Sequence, residues 1–303
     1  MAILIDPPAW PAHGRLFSHM VSDTSYAELH AFARNHSISL RAFDRDHYDV
    51  PDDLYNRLVS GGATPVTGGE LTRALIASGL RVPLKERPEK IRNTLLRQWN
   101  EYFPYFTDLG EHLLEQWEQP HRAYHNSAHL LEMLTVLEKL TPLTAELVLA
   151  TWLHDIVYDA QPGKDEEASA RFARDVGAPL IHQDAISQQQ MDAVAGLIEA
   201  TAAHTVDQLP PEIAQAFSSH EVHAFFDADM AILGAKTPRY DRYSAGVRQE
   251  FSHFSDEDFR RGRKQFLADA TQREQLFYTE KARRLFEEQA RDNMRRELQS
   301  LYL

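Results

Sequence analysis

The sequence predicts a mostly α-helical protein, in which a small α/β domain at residues 1–82 precedes an all-helical domain at residues 88–303. Three observations support this fold class. Short apolar runs and an amphipathic segment alternate near the N-terminus, residues 81–88 are polar with two prolines, and helical spacing of apolar residues continues from Glu89 almost to the C-terminus. We therefore place the domain boundary within residues 81–88.

The first domain begins with the order strand, helix, strand. Residues 2–5 form an apolar run typical of a buried strand, residues 25–35 have one apolar face, and residues 38–43 form a second apolar run. A short crossover of this kind predicts parallel pairing of the two strands. Two more short helices are predicted at residues 51–58 and 69–78.

The second domain carries recognisable helix starts. Ser255 is followed three residues later by Asp258, which predicts a capping box before an apolar stretch. Thr279 similarly predicts the start of a last helix that runs towards the C-terminus.

Composition limits the chemistry. The 303 residues include no cysteine and 15 histidines, which excludes disulfides, thiolate ligands and a cysteine nucleophile. Any metal must be held by histidines and carboxylates, which leaves Mn, Mg, Fe, Co, Ni and Zn open.

The formal net charge of −13 argues against a nucleic-acid partner, because nucleic-acid binding needs basic patches. A phosphorylated small molecule stays compatible, since the charge inside a cleft can oppose the overall sign. The N-terminus lacks the pattern of a signal peptide, and no apolar stretch approaches the length of a membrane span. We expect a cytoplasmic protein with no membrane partner, and self-association as a homo-oligomer is allowed.

Three segments combine ionisable residues with apolar neighbours. His125 and His129 are four residues apart, so on a helix they share a face. An adjacent His154-Asp155 pair follows the apolar residues 147–153, which predict a helix buried on all sides. Asp229, together with a second aspartate at 227, lies within a third apolar stretch.

A divalent cation would provide the partners that such buried groups need. It could lower the pKa of a bound water and polarise a phosphoryl oxygen, while Asp155 orients the water or bridges a second ion. A His-Asp pair alone is more often a chance occurrence, so the upstream histidine and the downstream aspartate carry the hypothesis.

The order His129, His154-Asp155, Asp229 resembles the HD superfamily of metal-dependent phosphohydrolases, and more closely a bacterial subgroup of predicted HD phosphohydrolases. Six motifs occur in order over roughly residues 90–303: YHNSAHLLEML, LHDIVYDA, DEEASA, DADMAILG, VRQEF and EEQARDNMRREL. The resemblance implies an HD-type helical bundle, with those four residues as the metal ligands.

Further candidates surround these ligands. Asp155, Glu166, Glu167 and His125 are candidate catalytic residues, although acidic residues at 166 and 167 equally suit the first turn of a helix. Candidate substrate-binding residues are His204, Tyr243, Arg248, Arg263 and Lys264. Their alternative roles are a surface histidine, a core tyrosine and solvated cations on C-terminal helices.

The first domain resembles an uncharacterised bacterial domain of unknown function, through IDPPAWPAHG, HMVSDTS and AFDRDHYDVP. Asp6 and Asp44 follow the two expected strands and would line one cleft. Histidines 13, 19 and 47 would complete a second site there. The alternative is that these aspartates, with Asp23, Asp46 and Asp49, cap turns and helices.

The leading hypothesis is a metal-dependent phosphohydrolase that acts on a phosphoester or phosphoanhydride of a nucleotide or similar small metabolite through metal-activated water. The alternatives are a nucleotide-sensing regulatory module without turnover and an HD-type di-iron oxygenase. We favour one metal ion, because the remaining histidines between the HD pair and Asp229 match no dinuclear spacing. These are His182, His204, His220 and His223.

Overall fold

The computed structural model describes residues 2–83, 87–161, 163–203, 206 and 209–302. The chain divides into two compact units, Met1–Arg87 and Pro88–Leu303. The expected fold class is confirmed: the protein is mostly α-helical, with a small sheet-containing region followed by a helical bundle. Within the described residues, we find no helix with the combination of length and apolar character that a bilayer crossing requires.

The first unit has a mixed sheet with helices on both faces. Its strands are β1 Ile3–Ile5, β2 Trp10–Ala12, β3 Arg15–Ser22, β4 Phe43–Asp44, β5 His47–Pro51 and β6 Thr64–Pro65, and its helices are α1 Tyr26–Asn35, α2 Asp52–Ser60 and α3 Gly68–Ala77. The order across the sheet is β4-β5-β3-β1-β6, with β2 paired to β3. Alternating residues face opposite sides. Ile5 and Met20 therefore pack with α1 and α2, whereas Leu4 and Val21 pack with α3.

The predicted parallel β-α-β unit is wrong. β1 pairs antiparallel with β3, a strand that the sequence analysis did not identify. β2 and β3 form a hairpin whose turn residues, His13 and Gly14, have φ values of 49° and 76°, as a two-residue hairpin turn requires. The second expected strand is instead a short 3-10 helix, Leu40–Ala42, followed by the two-residue β4.

The three predicted helices of this unit are present. α1 begins after Ser25, whose side chain accepts a hydrogen bond from the Glu28 N–H. α2 and α3 correspond to the helices expected at residues 51–58 and 69–78. Helix starts are therefore predicted better than strand pairing in this unit.

In the second unit, every regular element of the described residues is helical. Its α-helices are α4 Pro88–Tyr102, α5 Thr107–Trp117, α6 Ser127–Leu140, α7 Ala145–Leu153, α8 Lys164–Val176, α9 Ala178–His182, α10 Gln188–Ala200, α11 Ser219–Met230, α12 Thr237–Glu250, α13 Asp256–Gln272 and α14 Glu280–Ser300. Every residue of α7 from Leu147 to Leu153 is buried, as the apolar run predicts. Three tryptophans, Trp99, Trp117 and Trp152, are fully buried in the same core.

Both predicted helix starts of the second unit have their N-cap hydrogen bond, and at Ser255 the hydroxyl also donates to the Asp258 carboxylate, in place of the reciprocal backbone bond of a capping box. The Ser255 side chain accepts from the Asp258 N–H at the start of α13, and the Thr279 side chain accepts from the Ala282 N–H at the start of α14. Asp227 reinforces the second start from α11. Its buried carboxylate accepts hydrogen bonds from the backbone N–H groups of Tyr278 and Thr279 and from the Thr279 hydroxyl, each at 2.7 Å.

Replacement of Asp227 by alanine should therefore destabilise the protein. It leaves one buried N–H group, one partly buried N–H group and a buried hydroxyl without their acceptor, which costs about 2 to 4 kcal/mol. Urea unfolding followed by circular dichroism measures the difference. Asp292→Ala, on an exposed part of α14, is the control and should change stability by less than about 0.5 kcal/mol. Equal stability of the two variants would contradict this role of Asp227.

Candidate metal centre

Four side chains from three helices converge in the second unit. His129 lies in the first turn of α6, His154 and Asp155 follow the end of α7, and Asp229 lies in the last turn of α11. The Nε2 atoms of the two histidines are 3.3 Å apart. His154 Nε2 is 3.2 Å from Asp155 Oδ2, and His129 Nε2 is 3.4 Å from Asp229 Oδ1. The remaining His-to-Asp distances are 3.8 and 4.0 Å.

Hydrogen bonds on the far side of each ring orient the two histidines. His154 Nδ1 donates to the Thr151 carbonyl at 2.9 Å, so its Nε2 carries the lone pair when the ring is neutral. His129 Nδ1 lies 3.0 Å from the Tyr124 hydroxyl. Both rings are almost fully buried, with side-chain exposures of 1% and 3%. Such partners fix the orientation of metal-binding imidazoles.

Three of the four donor atoms, those of His129, His154 and Asp155, all lie within 4.8 Å of one another, and Asp229 Oδ1 lies 3.4 and 3.8 Å from the two histidines. Ligand atoms bound at about 2.1 Å from one ion lie about 3 to 3.5 Å from one another, close to the separations found here. Two imidazoles and two carboxylates are appropriate ligands for a first-row divalent metal. The four residues expected as ligands therefore lie together, and the donor atoms of His129, His154 and Asp155 are close enough to share one ion.

Without a cation, the two carboxylates of the site favour a proton on His154. Burial alone would lower the pKa of His154, but the charge and hydrogen bond of Asp155, together with the charge of Asp229, raise it to about 9. Burial would raise the pKa of Asp155, yet the charge of His154 holds it below its usual range. The two aspartates thus form an anionic site that attracts a cation.

The centre opens into a cavity of about 480 Å³. His125, Asp155 and Asp229 line the cavity beside the centre, and most of the remaining wall is apolar or aromatic. Its apolar members include Met230, Ile232, Leu233, Val247, Phe251, Phe254, Phe259 and Phe266. Tyr243, which the sequence analysis proposed for substrate binding, also lines this cavity.

His125 contacts the cavity but does not lie on α6. The helix begins at Ser127, and the Asn126 side chain caps it, so the expected shared helical face with His129 is wrong. His125 Nδ1 instead donates to Glu250 Oε2 at 2.8 Å, and its ring stacks on Tyr158. The two histidine rings are still 5.6 Å apart.

Glu250 joins several groups around the centre. Its Oε1 atom accepts from the backbone N–H groups of Tyr124 and His125 at 2.7 and 2.9 Å, and its Oε2 atom also accepts from the Tyr158 hydroxyl. Burial opposes ionisation of Glu250, but the His125 hydrogen bond and charge bring its pKa below the ordinary value. Glu250 was not identified as a site residue, although it lies in the VRQEF motif.

Glu166 and Glu167 lie in the first turn of α8, in agreement with the alternative role considered for them. Glu166 lines the cavity and accepts a hydrogen bond from the Gly163 N–H at 2.6 Å. Glu167 is exposed and lies 3.9 Å from Arg171. The adjacent Asp165 is buried and accepts from the N–H groups of Asp159 and Gln161.

The cations proposed for substrate binding have other partners. Arg263 lines the cavity, but its Nε and Nη2 atoms donate to Glu297 at 2.9 and 3.0 Å. Arg248 donates to Asp256 and stacks on Phe259.

Lys264 lies 4.0 Å above the ring of Tyr302. His204 lies outside the described residues. The structure thus brings Arg263 and Tyr243 to the cavity wall. Arg248 does not line the cavity but contacts the wall residues Phe251, Phe254 and Phe259, whereas Lys264 contacts Tyr302.

Arg122 is a further residue that the sequence did not reveal. Its buried guanidinium donates to the backbone carbonyls of His125, Asp155 and Ile156 at 3.1, 2.7 and 2.8 Å. It lies between the rings of Trp117 and Tyr158. A lone arginine carries no local signal of such a role, because two of its three acceptors are 33 and 34 residues away in the sequence.

Replacement of Glu250 by glutamine should lower stability at neutral pH by about 1 to 3 kcal/mol, since a charge-assisted hydrogen bond is lost. A carboxyl group whose pKa is lower in the folded than in the unfolded protein stabilises the fold at pH values above its unfolded-state pKa, which is 4.5 for glutamate. That contribution disappears as the pH falls through the folded-state pKa. The stability difference between wild type and variant should therefore shrink as the pH decreases below about 4.5.

Urea unfolding at pH 7, 5 and 4, with a chelator present, measures this difference. Glu288→Gln, on an exposed position of α14, is the matched control and should be nearly neutral at each pH. If wild type exceeds Glu250→Gln in free energy of unfolding by the same amount at all three pH values, ionisation of the Glu250 carboxyl is not the source of the stabilisation.

Comparison with known proteins identifies one similar protein family. A family model described as "Protein of unknown function (DUF4031)" matches residues 3–78, within the first unit. The search of curated proteins found no match, and the search of solved structures found none either.

Proposed function

We propose that the second unit is an HD-type metal-dependent phosphohydrolase that cleaves a phosphoester or phosphoanhydride of a nucleotide or similar small metabolite. The observation that carries this proposal is the convergence of His129, His154, Asp155 and Asp229 beside a cavity of about 480 Å³. A bound divalent ion would supply activation of a water molecule and polarisation of a phosphoryl oxygen.

The protein groups around the ion have distinct tasks in this proposal. His129 and His154 present their Nε2 atoms as ligands, because their Nδ1 atoms face Tyr124 and Thr151. Asp155 and Asp229 provide oxygen ligands and hydrogen-bond acceptors for water. With His125 Nδ1 bonded to Glu250, its Nε2 atom is the nitrogen that would contact substrate or transfer a proton.

The cavity favours a substrate with a planar or apolar portion. Its wall includes Phe251, Phe254 and Phe259, and aromatic rings stack favourably on flat groups such as a nucleobase. Among the described residues that line the cavity, the positively charged side chain is that of Arg263. Its guanidinium is already paired with the Glu297 carboxylate. In the proposed reaction the metal therefore compensates most of the phosphate charge.

A second candidate function is oxygenation at a two-iron centre. The observation that favours it is the scarcity of unpaired cations along the described, mainly apolar wall, since an oxygenase substrate needs no phosphate-binding groups. The described histidines near the centre provide one more ring, His125, which is already bonded to Glu250. A content of two irons per second unit would favour this candidate over hydrolysis.

The test is a metal-supplemented screen of phosphorylated metabolites with product identification. We expect phosphate or pyrophosphate release by the wild-type chain, and a loss of at least about a hundredfold in His154→Ala and Asp155→Ala. His182→Ala, an exposed histidine at the end of α9, is the matched control and should retain turnover. Undiminished turnover in both site variants would overturn the assignment, and tight nucleotide binding without product would indicate a sensing module instead.

A further inference from the structure

The first unit contains a second cluster of histidines and carboxylates in a cleft of about 820 Å³. His19 on β3 and Asp49 on β5 are directly paired across the two strands. His47 lies two residues before Asp49, and residues two apart on a strand face the same side of the sheet. The sheet register thus places all three side chains on one face, opposite the face that carries Tyr48 and Val50.

Each of the two histidines is oriented by a buried carboxylate. His19 Nδ1 donates to Asp6 Oδ2 at 3.0 Å, and His47 Nδ1 donates to Asp46 Oδ1 at 2.6 Å. The two carboxylate side chains are only 4% and 2% exposed. These bonds place the proton of each neutral ring on Nδ1 and leave Nε2 as the atom with a lone pair.

Both Nε2 atoms lie near the same carboxylate oxygen. Asp49 Oδ1 is 3.5 Å from His47 Nε2 and 4.0 Å from His19 Nε2. The ligand atoms of the three residues all lie within 4.8 Å of one another. Two stabilising His-Asp pairs would account for the contacts at Nδ1, but they would not require both Nε2 atoms to converge on a third carboxylate.

The supporting carboxylates are themselves held in place. Asp6 accepts from the His19 backbone N–H at 2.6 Å and from the Trp10 indole at 3.4 Å. Asp46 accepts from the Val82 N–H at 2.7 Å and from Arg81 at 3.2 Å. A histidine bonded through Nδ1 to a fixed carboxylate is the usual arrangement around a protein-bound transition metal.

We propose that His19 Nε2, His47 Nε2 and Asp49 Oδ1 bind a first-row divalent transition metal such as Zn²⁺. Two imidazoles with one carboxylate favour such a metal over Mg²⁺ or Ca²⁺, which prefer oxygen ligands. Three protein ligands leave a coordination position open towards the cleft, as in zinc sites that bind substrate rather than sites that only stabilise a fold. Arg81 and Arg87 line the same cleft, where they pair with Asp46 and Asp44.

This proposal does not depend on the function proposed for the second unit. The test is calorimetric titration of the metal-stripped, full-length chain with Zn²⁺, supported by the visible absorption of bound Co²⁺. Wild type should bind one ion in the first unit, in addition to the ion expected at the centre of the second unit. Asp155→Ala should lose the ion of the second unit and keep the other, whereas Asp49→Asn should show the reverse loss.

The substitutions are chosen to preserve the fold. Asp49 is 45% exposed, and asparagine has the same shape. His47→Asn retains an amide donor near Asp46 but removes Nε2, and it should also lose one ion. Asp46→Asn should keep the ligands but weaken zinc binding by about 10- to 100-fold through the loss of orientation.

His13→Asn, in the exposed hairpin turn, is the control and should leave both ions bound. The proposal is overturned when wild type binds one ion that Asp155→Ala removes, or when Asp49→Asn and His47→Asn leave the stoichiometry and affinity unchanged. Retention of the first-unit ion together with inactivity in the metabolite screen would instead count against the phosphohydrolase proposal alone.

Discussion

The arrangement of the candidate metal centre depends on the buried guanidinium of Arg122. Its N–H groups donate to the carbonyl of His125, which precedes α6, and to the carbonyls of Asp155 and Ile156, which follow α7. Burial lowers the pKa of Arg122, and the charges of Asp155 and Glu250 oppose that shift. One cation thus fixes the two irregular segments that carry His125 and Asp155, which no regular backbone hydrogen bonding would hold together.

Both units use hydrogen-bond acceptors to orient the histidines of their candidate sites. In the second unit the acceptors are the Glu250 carboxylate for His125 and the Thr151 carbonyl for His154, and in the first unit they are Asp6 and Asp46. A buried imidazole needs a partner for its N–H. At His154 in the second unit, and at His19 and His47 in the first, a partner at Nδ1 leaves Nε2 facing the other candidate ligands.

Asp227 and Asp229 show how little residue type alone reveals. They are two residues apart on α11, so they project about 200° apart around the helix axis. Asp227 faces the start of α14 and accepts three hydrogen bonds there, whereas Asp229 faces His129 and His154. Arg263 is a further example in which residue type does not reveal the role. It lines the cavity, but its guanidinium is paired with Glu297 and so has a structural partner.

The sequence by itself determined the mostly helical class, the caps at Ser255 and Thr279, and the burial of α7, because these features depend on residues close together in the chain. Motif resemblance also singled out the four residues that converge at the centre. Only the tertiary structure decided the antiparallel pairing of β1 with β3, the role of Glu250 and the pairing of Arg263. Glu250 bonds His125 across 125 residues, and such partners are chosen by packing of distant segments, which leaves no periodic or local signal in the sequence.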